Sequence, residues 1–228
     1  MLLDGLAVQE PLLAFAEPVD DDRTEEVVSG LTSGLTDPQR QVWDADHRFK
    51  LLCSGRRFGK TYLCITRLIC WAMEKPGSLC WYVTANYRMA KQIAWRQLKT
   101  MTPDSMIAKK NETDLSIELV NGSEIALRGA DNEDSLRGVS LSALVVDEAA
   151  YVKQTAWEMV LRPALSDQNG PAWFITGCLL TKLLRNMGSK VGITVGMIPN
   201  LNSPPIKPFS CATISSILLA SARILRAC

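Results

Sequence analysis

The C-terminal part of the sequence lacks acidic residues. All 24 Asp and Glu residues lie at or before Asp167, so residues 168–228 contain none, although they contain six Lys or Arg. A stretch of this length without a carboxylate is unusual for the solvated surface of a folded domain. The net charge of the whole chain is only +1 and points to no partner. The uneven distribution therefore predicts that the end of the chain differs in character from the part before it.

Histidine and closely spaced cysteine pairs are also scarce. The chain has one histidine, His47, and seven cysteines, none of them in a C-x-x-C pair. This pattern excludes zinc sites of the common spacings, and scattered thiols fit a reducing compartment better than a disulfide framework. No apolar run reaches the roughly 18–20 residues of a membrane-spanning helix, and the acidic N-terminus is unlike a secretory signal. We expect a soluble cytoplasmic protein with no membrane partner.

The first 35 residues have the composition of a tail. They are acidic, contain Pro11 and Pro18, and run into the stretch SGLTSGLTDP. This composition predicts an acidic N-terminal arm over residues 1–35 that is flexible or loosely docked. A segment that docks specifically is the alternative interpretation.

Residues 36–177 alternate between short apolar runs and longer helical patterns. Alternation on both sides of Asn121-Gly122 predicts a β-hairpin within 115–129. Helical spacing predicts helices at 59–75, 86–101 and 154–165. The apolar runs that predict buried strands are 49–54, 78–84, 141–149 and 172–177. This order is typical of an α/β fold in which helices flank a mostly parallel central sheet.

The segment CSGRRFGKTYL, residues 53–63, is close to the phosphate-binding loop G-x-x-x-x-G-K-[ST]. A serine stands where the first glycine is expected, and a glycine follows it. The segment lies between a predicted strand and a predicted helix, which is the context such a loop requires, with its backbone N–H groups directed at phosphate oxygens. The predicted ATP-binding residues of the loop are Ser54, Gly55, Arg56, Arg57, Phe58, Gly59, Lys60 and Thr61.

Side chains of this loop suit a nucleoside triphosphate bound with Mg²⁺. Lys60 would reach the β and γ phosphate oxygens, and the Thr61 hydroxyl would ligate the metal. Arg56 would stabilise charge on the transferred phosphoryl group, whereas for Arg57 a site role and a solvated position are equally open. An ordinary left-handed turn ahead of a helix is the alternative interpretation of the segment.

Two adjacent acidic residues, Asp147 and Glu148, follow the apolar run ALVV. Ligands of open α/β sheets bind at the carboxyl ends of such strands. Asp147 is suited to hold Mg²⁺, and Glu148 is suited to orient and deprotonate an attacking water, so we expect it to be catalytic. A solvated loop start is the alternative. The strand at 78–84 lies between the loop and this pair, an order typical of P-loop NTPases that carry their own catalytic glutamate, the ASCE type.

Four stretches in this order resemble one known family. They are SGRRFGKT, WYVTANYRMAKQIAWRQLK, NGSEIALRGADNEDSLRG and VVDEAAYV. Together they resemble the ATPase domain of the bacteriophage terminase large subunit over residues 36–177. DSLRG and the aromatic block point to terminases, whereas the loop and the acidic pair are shared by P-loop ATPases in general. The resemblance implies a motor that couples Mg-ATP hydrolysis to movement of double-stranded DNA into a procapsid.

The resemblance also implies roles for single residues and for partners. The family's loop arginine, which acts on the γ-phosphate, falls on Arg56. The glutamine that reads the adenine edge falls on Gln39, with Gln41 as second choice, and the coupling motif falls on Thr176-Gly177. Expected partners are double-stranded DNA contacted without sequence specificity, the phage portal and the terminase small subunit, in a ring in the cytoplasm of the bacterial host.

The match to the family ends after Gly177, where CLLTKLL replaces the usual Thr-Pro and aromatic segment. Family members continue into a nuclease domain that binds metal through acidic residues, and an acid-free tail offers no such ligands. We therefore expect a sheet that is incomplete at its C-terminal end, no nuclease domain, and an atypical tail over 178–228 that is read in a shifted frame. Translation of the other frames downstream of codon 178 tests this hypothesis.

Two other functions stay open on the sequence. A helicase-like ATP-dependent nucleic-acid remodeller would share the DEAA stretch and an upstream glutamine, but helicases need a second motor domain. A non-catalytic prophage remnant would fit the altered coupling motif. On the predicted helix 86–101, a solvated basic surface is favoured over a DNA-facing one. The residues concerned are Arg88, Lys91, Arg96 and Lys99.

Overall fold

A computed structural model describes the backbone of residues 21–55, 57–177 and 194–198, and the side chains of 24–55 and 57–177. Eight strands form a single sheet. The strands are β1 (Phe49–Ser54), β2 (Leu79–Thr84), β3 (Ile107–Asn111), β4 (Ser116–Leu119), β5 (Glu124–Gly129), β6 (Ala143–Val146), β7 (Ala172–Thr176) and β8 (Thr194–Ile198). Their order in the sheet is β3-β4-β5-β2-β6-β7-β1-β8.

The sheet has a parallel part and a smaller antiparallel part. Strands β5, β2, β6, β7, β1 and β8 pair in parallel, whereas β3, β4 and β5 pair in antiparallel fashion. The carboxyl ends of β1, β6 and β7 therefore lie side by side at one edge. The predicted α/β fold with a mostly parallel sheet is confirmed, and so is the hairpin at Asn121-Gly122, which connects β4 to β5.

Helices cover both faces of this sheet. They are α1 (Asp21–Ser33), α2 (Asp37–Asp44), α3 (Lys60–Glu74), α4 (Tyr87–Met89), α5 (Arg96–Met101), α6 (Gln154–Ala156) and α7 (Arg162–Ala164). A π-helical segment, Ala90–Trp95, joins α4 to α5, and a second, Trp157–Leu161, joins α6 to α7. Short 3-10 turns lie at Asp104–Met106, Glu133–Leu136 and Ala149–Tyr151. The three helices predicted from the sequence are thus confirmed.

Alternation along the strands divides the core into two layers. On β2, for example, Cys80 and Tyr82 face the layer that contains α3, whereas Trp81 and Val83 face the opposite layer. Both layers are apolar because the parallel strands are buried on both faces. Among the described residues, no helix has the length and apolar character needed to cross a membrane.

Part of the segment expected to be a flexible arm is a helix, α1, that packs on the rest of the fold. This helix occupies residues 21–33, inside the stretch interpreted as a tail. Val27, Val28 and Leu31 pack against the layer that contains α3, and the Tyr62 hydroxyl donates to the Leu31 carbonyl at 3.2 Å. These apolar residues were not recognised from the sequence because charged residues at the start of α1 dominate the composition of the segment. Residues 1–20 of the arm lie outside the described residues.

Strand β3 was not predicted, and its burial explains why. Only its end residues, Ile107 and Asn111, are partly buried, and the three residues between them are exposed. An edge strand with such a pattern carries no alternating apolar signal. Of the acid-free tail, the structure describes only β8, which pairs in parallel with β1.

Candidate nucleotide site

The predicted phosphate loop connects β1 to α3. β1 ends at Ser54, and α3 begins at Lys60. Two residues between them have left-handed backbones, Arg57 with φ of 68° and Gly59 with φ of 81°. Such conformations turn successive N–H groups toward one side of a loop, which is how an anion-binding nest is built. Arg56, expected to be catalytic, lies outside the described residues.

Gln39 supports this loop from α2. Its side chain is buried, its Nε2 donates to the Phe58 carbonyl at 2.9 Å, and its Oε1 accepts from the Thr36 N–H at 2.9 Å. The bond from Thr36 belongs to the capping box of α2. The positive φ of Gly59 favours glycine, and a Cβ there would lie 2.6 Å from Gln39 Nε2 and displace the Gln39 amide.

The two glutamines considered for adenine therefore have different surroundings. Gln39 contacts the loop, whereas Gln41 is exposed. The two hydrogen bonds of Gln39 leave its side-chain amide with one N–H and one acceptor position for a ligand. Recognition of adenine by Gln39 stays a prediction.

The Lys60 ammonium lies over the loop. It donates to the Ser54 carbonyl at 2.9 Å and to the Gly55 carbonyl at 3.1 Å. Its charge therefore stands beside the N-terminus of α3, where the helix dipole also favours an anion. Ser54, which replaces the usual glycine, keeps its place at the end of β1, and its buried Oγ has no hydrogen-bond partner.

Asp147 follows β6 and is held by two hydrogen bonds. Its carboxylate is buried, Oδ2 accepts from the Tyr82 hydroxyl at 2.7 Å, and Oδ1 accepts from the Glu148 N–H at 2.8 Å. Burial raises the pKa of Asp147, although both hydrogen bonds and the charge of Lys60 oppose the rise. β6, which precedes Asp147, and β1, which precedes the loop, both pair in parallel with β7, so the loop and the acidic pair lie at the same edge of the sheet.

Glu148 differs from its neighbour in backbone and exposure. It has a left-handed conformation with φ of 47° and ψ of 44°, which is strained for a residue other than glycine. Its side chain is partly exposed. Burial and the charge of Asp147 raise the pKa of Glu148, whereas Lys60 and the Gly177 N–H lower it. A raised pKa suits a general base, because such a carboxylate accepts a proton more readily.

The predicted coupling residues, Thr176 and Gly177, lie at the end of β7. Thr176 pairs in register with Cys53, and its buried hydroxyl has no hydrogen-bond partner. The Gly177 carbonyl accepts from the Cys53 thiol at 2.9 Å. The predicted coupling residues therefore lie beside the strand that leads into the phosphate loop. The departure from the family pattern begins at Cys178, outside the described residues.

Tyr82 is a site residue that the sequence did not reveal. It is fully buried on β2, and its hydroxyl contacts Asp147. The available signal was a tyrosine within an otherwise apolar run, because a buried phenol needs a polar partner. Its partner became apparent only once β2 was found next to β6.

Comparison with known proteins identifies the family. Residues 51–176 match the family described as terminase large subunit, T4likevirus-type, N-terminal. The chain belongs to this terminase family.

Two relatives show how much of a terminase large subunit the chain matches. The terminase large subunit of Escherichia phage T5 is 34% identical over 137 residues, which are 58% of this chain and 31% of that protein. The terminase large subunit of Thermus phage G20c is 25% identical over 146 residues, which are 56% of this chain and 30% of that protein. The chain thus spans about a third of the length of the curated relatives it matches.

Solved structures agree on the fold. The large terminase ATPase domain of Thermus phage P74-26 superimposes with a TM-score of 0.59 at 21% identity, covering 70% of this chain and 69% of that one. The HK97 bacteriophage large terminase gives a TM-score of 0.56 at 15% identity, covering 68% and 37%. The chain therefore has the P-loop fold of a terminase ATPase domain.

The terminase fold implies a Mg²⁺ ion bound with the nucleotide, and the residues present fit one. Thr61, in the first turn of α3, and Asp147 offer oxygen ligands, and the Asp147 carboxylate is oriented by Tyr82. The described part of the chain has no group of three or more His, Cys, Asp or Glu residues able to hold a metal. A site with few protein ligands is typical of Mg²⁺, which retains waters and binds substrate phosphates.

Proposed function

We propose that the chain is the ATPase part of a phage DNA-packaging motor, which hydrolyses Mg-ATP and couples hydrolysis to translocation of double-stranded DNA into a procapsid. One observation carries the proposal. The phosphate loop follows β1 and the acidic pair follows β6, and both strands pair in parallel with β7, so the loop and the pair lie at the same edge of the sheet. Phosphoryl transfer to water needs this combination of phosphate cradle, metal ligand and base.

In this proposal the loop binds the phosphates and the acidic pair supplies metal binding and the base. Lys60 neutralises charge on the β and γ phosphates. Thr61 and Asp147 hold Mg²⁺, which neutralises phosphate charge when bound. Glu148 orients the attacking water and accepts its proton, which its partly exposed carboxylate and raised pKa support. Arg56 stabilises the transferred phosphoryl group.

Coupling to DNA runs through Gly177 in this proposal. Thr176 pairs in register with Cys53 at the end of β1, and the Cys53 thiol donates to the Gly177 carbonyl, so a movement of β7 reaches the strand that leads into the phosphate loop. Hydrolysis and the conformation of the segment after β7 therefore influence each other, as coupling requires.

A basic surface on the helix that follows β2 supports contact with DNA. Arg88, Lys91 and Arg96 are exposed, and none of the salt bridges within the described residues involves them. Lys99 differs, because it forms a salt bridge with Glu112 at 2.7 Å. We assign the first three residues to phosphate contacts, which are independent of sequence. The assembled motor is a ring that works with the phage portal and the terminase small subunit in the bacterial host cytoplasm.

The first experiment measures steady-state ATP hydrolysis by the full chain with and without linear double-stranded DNA. We expect Mg²⁺-dependent turnover that DNA stimulates and that Glu148→Gln abolishes. Glu118→Gln is the matched control, since Glu118 lies exposed on β4. Background rates in all three proteins would contradict the proposal and favour a non-catalytic remnant. Turnover that DNA does not stimulate would support ATP hydrolysis by the chain but contradict its proposed role in DNA translocation.

The second experiment tests the basic surface by DNA binding at several salt concentrations. The triple variant Arg88→Gln, Lys91→Gln, Arg96→Gln is expected to weaken binding to any sequence and to reduce the salt slope by about three, roughly one per lost phosphate contact. A control triple neutralises exposed lysines elsewhere, at Lys75, Lys109 and Lys153. Equal losses in both triples would indicate general electrostatic attraction and reject this surface.

A further inference from the structure

We propose that Tyr82 is a positioning residue for the expected metal ligand Asp147, and that its hydroxyl holds this carboxylate in the orientation that binds Mg²⁺ with nucleotide. The inference rests on the proposed function, because it concerns the metal site of the same ATPase. It adds a fourth strand, β2, to a site otherwise built from β1, β6 and β7.

The position of Tyr82 explains how it reaches the site. On β2 it pairs in register with Val145 of β6, two residues before Asp147. Two residues of strand correspond to ~6.6 Å, a distance that a tyrosine ring can bridge along the sheet and a shorter polar side chain cannot. The ring is fully buried in the layer that contains α3, which restricts its movement.

The partner of the Tyr82 hydroxyl is an expected metal ligand. The hydroxyl donates to Asp147 Oδ2 at 2.7 Å. Because the phenol is fully buried, this carboxylate is the polar group that satisfies it.

The second oxygen of Asp147 is held as well. Oδ1 accepts from the Glu148 N–H at 2.8 Å, so hydrogen bonds restrain both ends of the carboxylate. Groups that hold metal ligands in this way contribute strongly to metal affinity, because a free carboxylate must be ordered when the metal binds. Phenylalanine at position 82 would preserve the packing and remove only the restraint.

The test measures binding of a fluorescent ADP analogue to the full chain, in EDTA and over a series of Mg²⁺ concentrations. We expect Tyr82→Phe to raise the half-saturating Mg²⁺ concentration by about tenfold and to leave binding in EDTA unchanged. Tyr87→Phe is the matched control, because it also loses a single hydroxyl, one that donates to the Thr113 carbonyl. This control should show the wild-type Mg²⁺ dependence.

Two results would overturn the inference. One is an unchanged Mg²⁺ dependence in Tyr82→Phe. The other is an equal loss of affinity with and without Mg²⁺, because such a loss indicates general packing. A wild-type chain that binds no nucleotide under either condition would contradict the proposed function and this inference together, which separates that case from the other two.

Discussion

The parallel sheet has one edge formed by the amino ends of its strands and one formed by their carboxyl ends. These two edges satisfy their polar groups differently. At the edge where β2 and β5 begin, Asn121 Nδ2 donates to the Ala72 carbonyl at 2.9 Å, and Asn121 Oδ1 accepts from the Ser123 N–H at 3.0 Å. Ser123 Oγ donates to the Lys75 carbonyl at 3.0 Å and accepts from the Ser78 N–H at 3.1 Å. This network ties the end of α3 to the hairpin turn.

The opposite edge, where the candidate nucleotide site lies, has unpartnered groups and strained backbone. The buried hydroxyls of Ser54 and Thr176 have no hydrogen-bond partner. Arg57 and Glu148 have positive φ angles. Such features cost free energy in the folded protein and persist where a ligand or a reaction makes use of them.

The difference separates the parts of the fold that stabilise it from those that act. Open α/β sheets bind ligands at the carboxyl ends of their strands, so one edge must keep polar groups available. At the other edge, the network around Asn121 and Ser123 is free to serve stability alone. Variants at the site edge should therefore change ATP turnover or nucleotide affinity, whereas variants at the other edge should change the free energy of unfolding.

Lys60→Ala should produce the largest change, confined to activity. We expect ATP turnover to fall by roughly 10²- to 10³-fold, because a cation at the transferred phosphate is lost. The free energy of unfolding in urea should hardly change, since Lys60 bonds only to loop carbonyls. Lys109→Ala, at an exposed position on β3, is the control. Turnover near the wild-type rate would reject the assignment of this loop.

Asn121→Ala should produce the opposite result. We expect the free energy of unfolding to fall by about 2 kcal/mol, because two buried hydrogen bonds are lost and the Ala72 carbonyl loses its side-chain donor. The affinity for nucleotide should be unchanged. Asn132→Ala, at an exposed position, should alter neither quantity. A change in nucleotide affinity without a change in stability would contradict the division between the edges.

Gln39→Ala tests a residue that should contribute both to the stability of the fold and to nucleotide binding. Removing its side chain opens the capping box of α2 and frees the Phe58 carbonyl, so we expect a loss of about 1 kcal/mol in stability together with several-fold weaker nucleotide binding. Urea unfolding and titration with an ADP analogue measure the two effects, and exposed Gln92→Ala is the control. Unchanged affinity would mean that the loop does not need this support.

Lys50, at the start of β1, should show the smallest effect, through pH. Its ammonium donates to the Val42 and Trp43 carbonyls at 2.9 Å, and burial lowers the pKa of Lys50 from 10.5 to about 8. Between these two values the unfolded chain binds more protons than the folded one, so stability rises with pH.

Comparison with Lys50→Met isolates this contribution. Relative to the variant, the wild type should gain about 1 kcal/mol of unfolding free energy between pH 7.5 and 9, measured in urea. Groups that titrate in both proteins cancel in the difference. A difference that is independent of pH would show that the pKa of Lys50 is not lowered.

Local patterns determined the elements and the main chemical groups of the site. The strand at 49–54, the helix that begins near Lys60 and the pair Asp147-Glu148 were all apparent from short windows. They could be predicted because a glycine-rich turn between a buried strand and a helix, and acids that end a buried strand, are properties of neighbouring residues.

Tertiary structure decided which residues meet. Tyr82 lies 65 residues from its partner Asp147, and Gln39 lies 19 residues from Phe58, so no local pattern reveals either contact. The docking of α1 on α3 likewise depends on a long-range apolar contact at Leu31 that the composition hid. The sequence by itself therefore determined which chemical groups the candidate site contains, whereas packing of the sheet decided which of them meet, because hydrogen bonds between distant strands form only in the assembled fold.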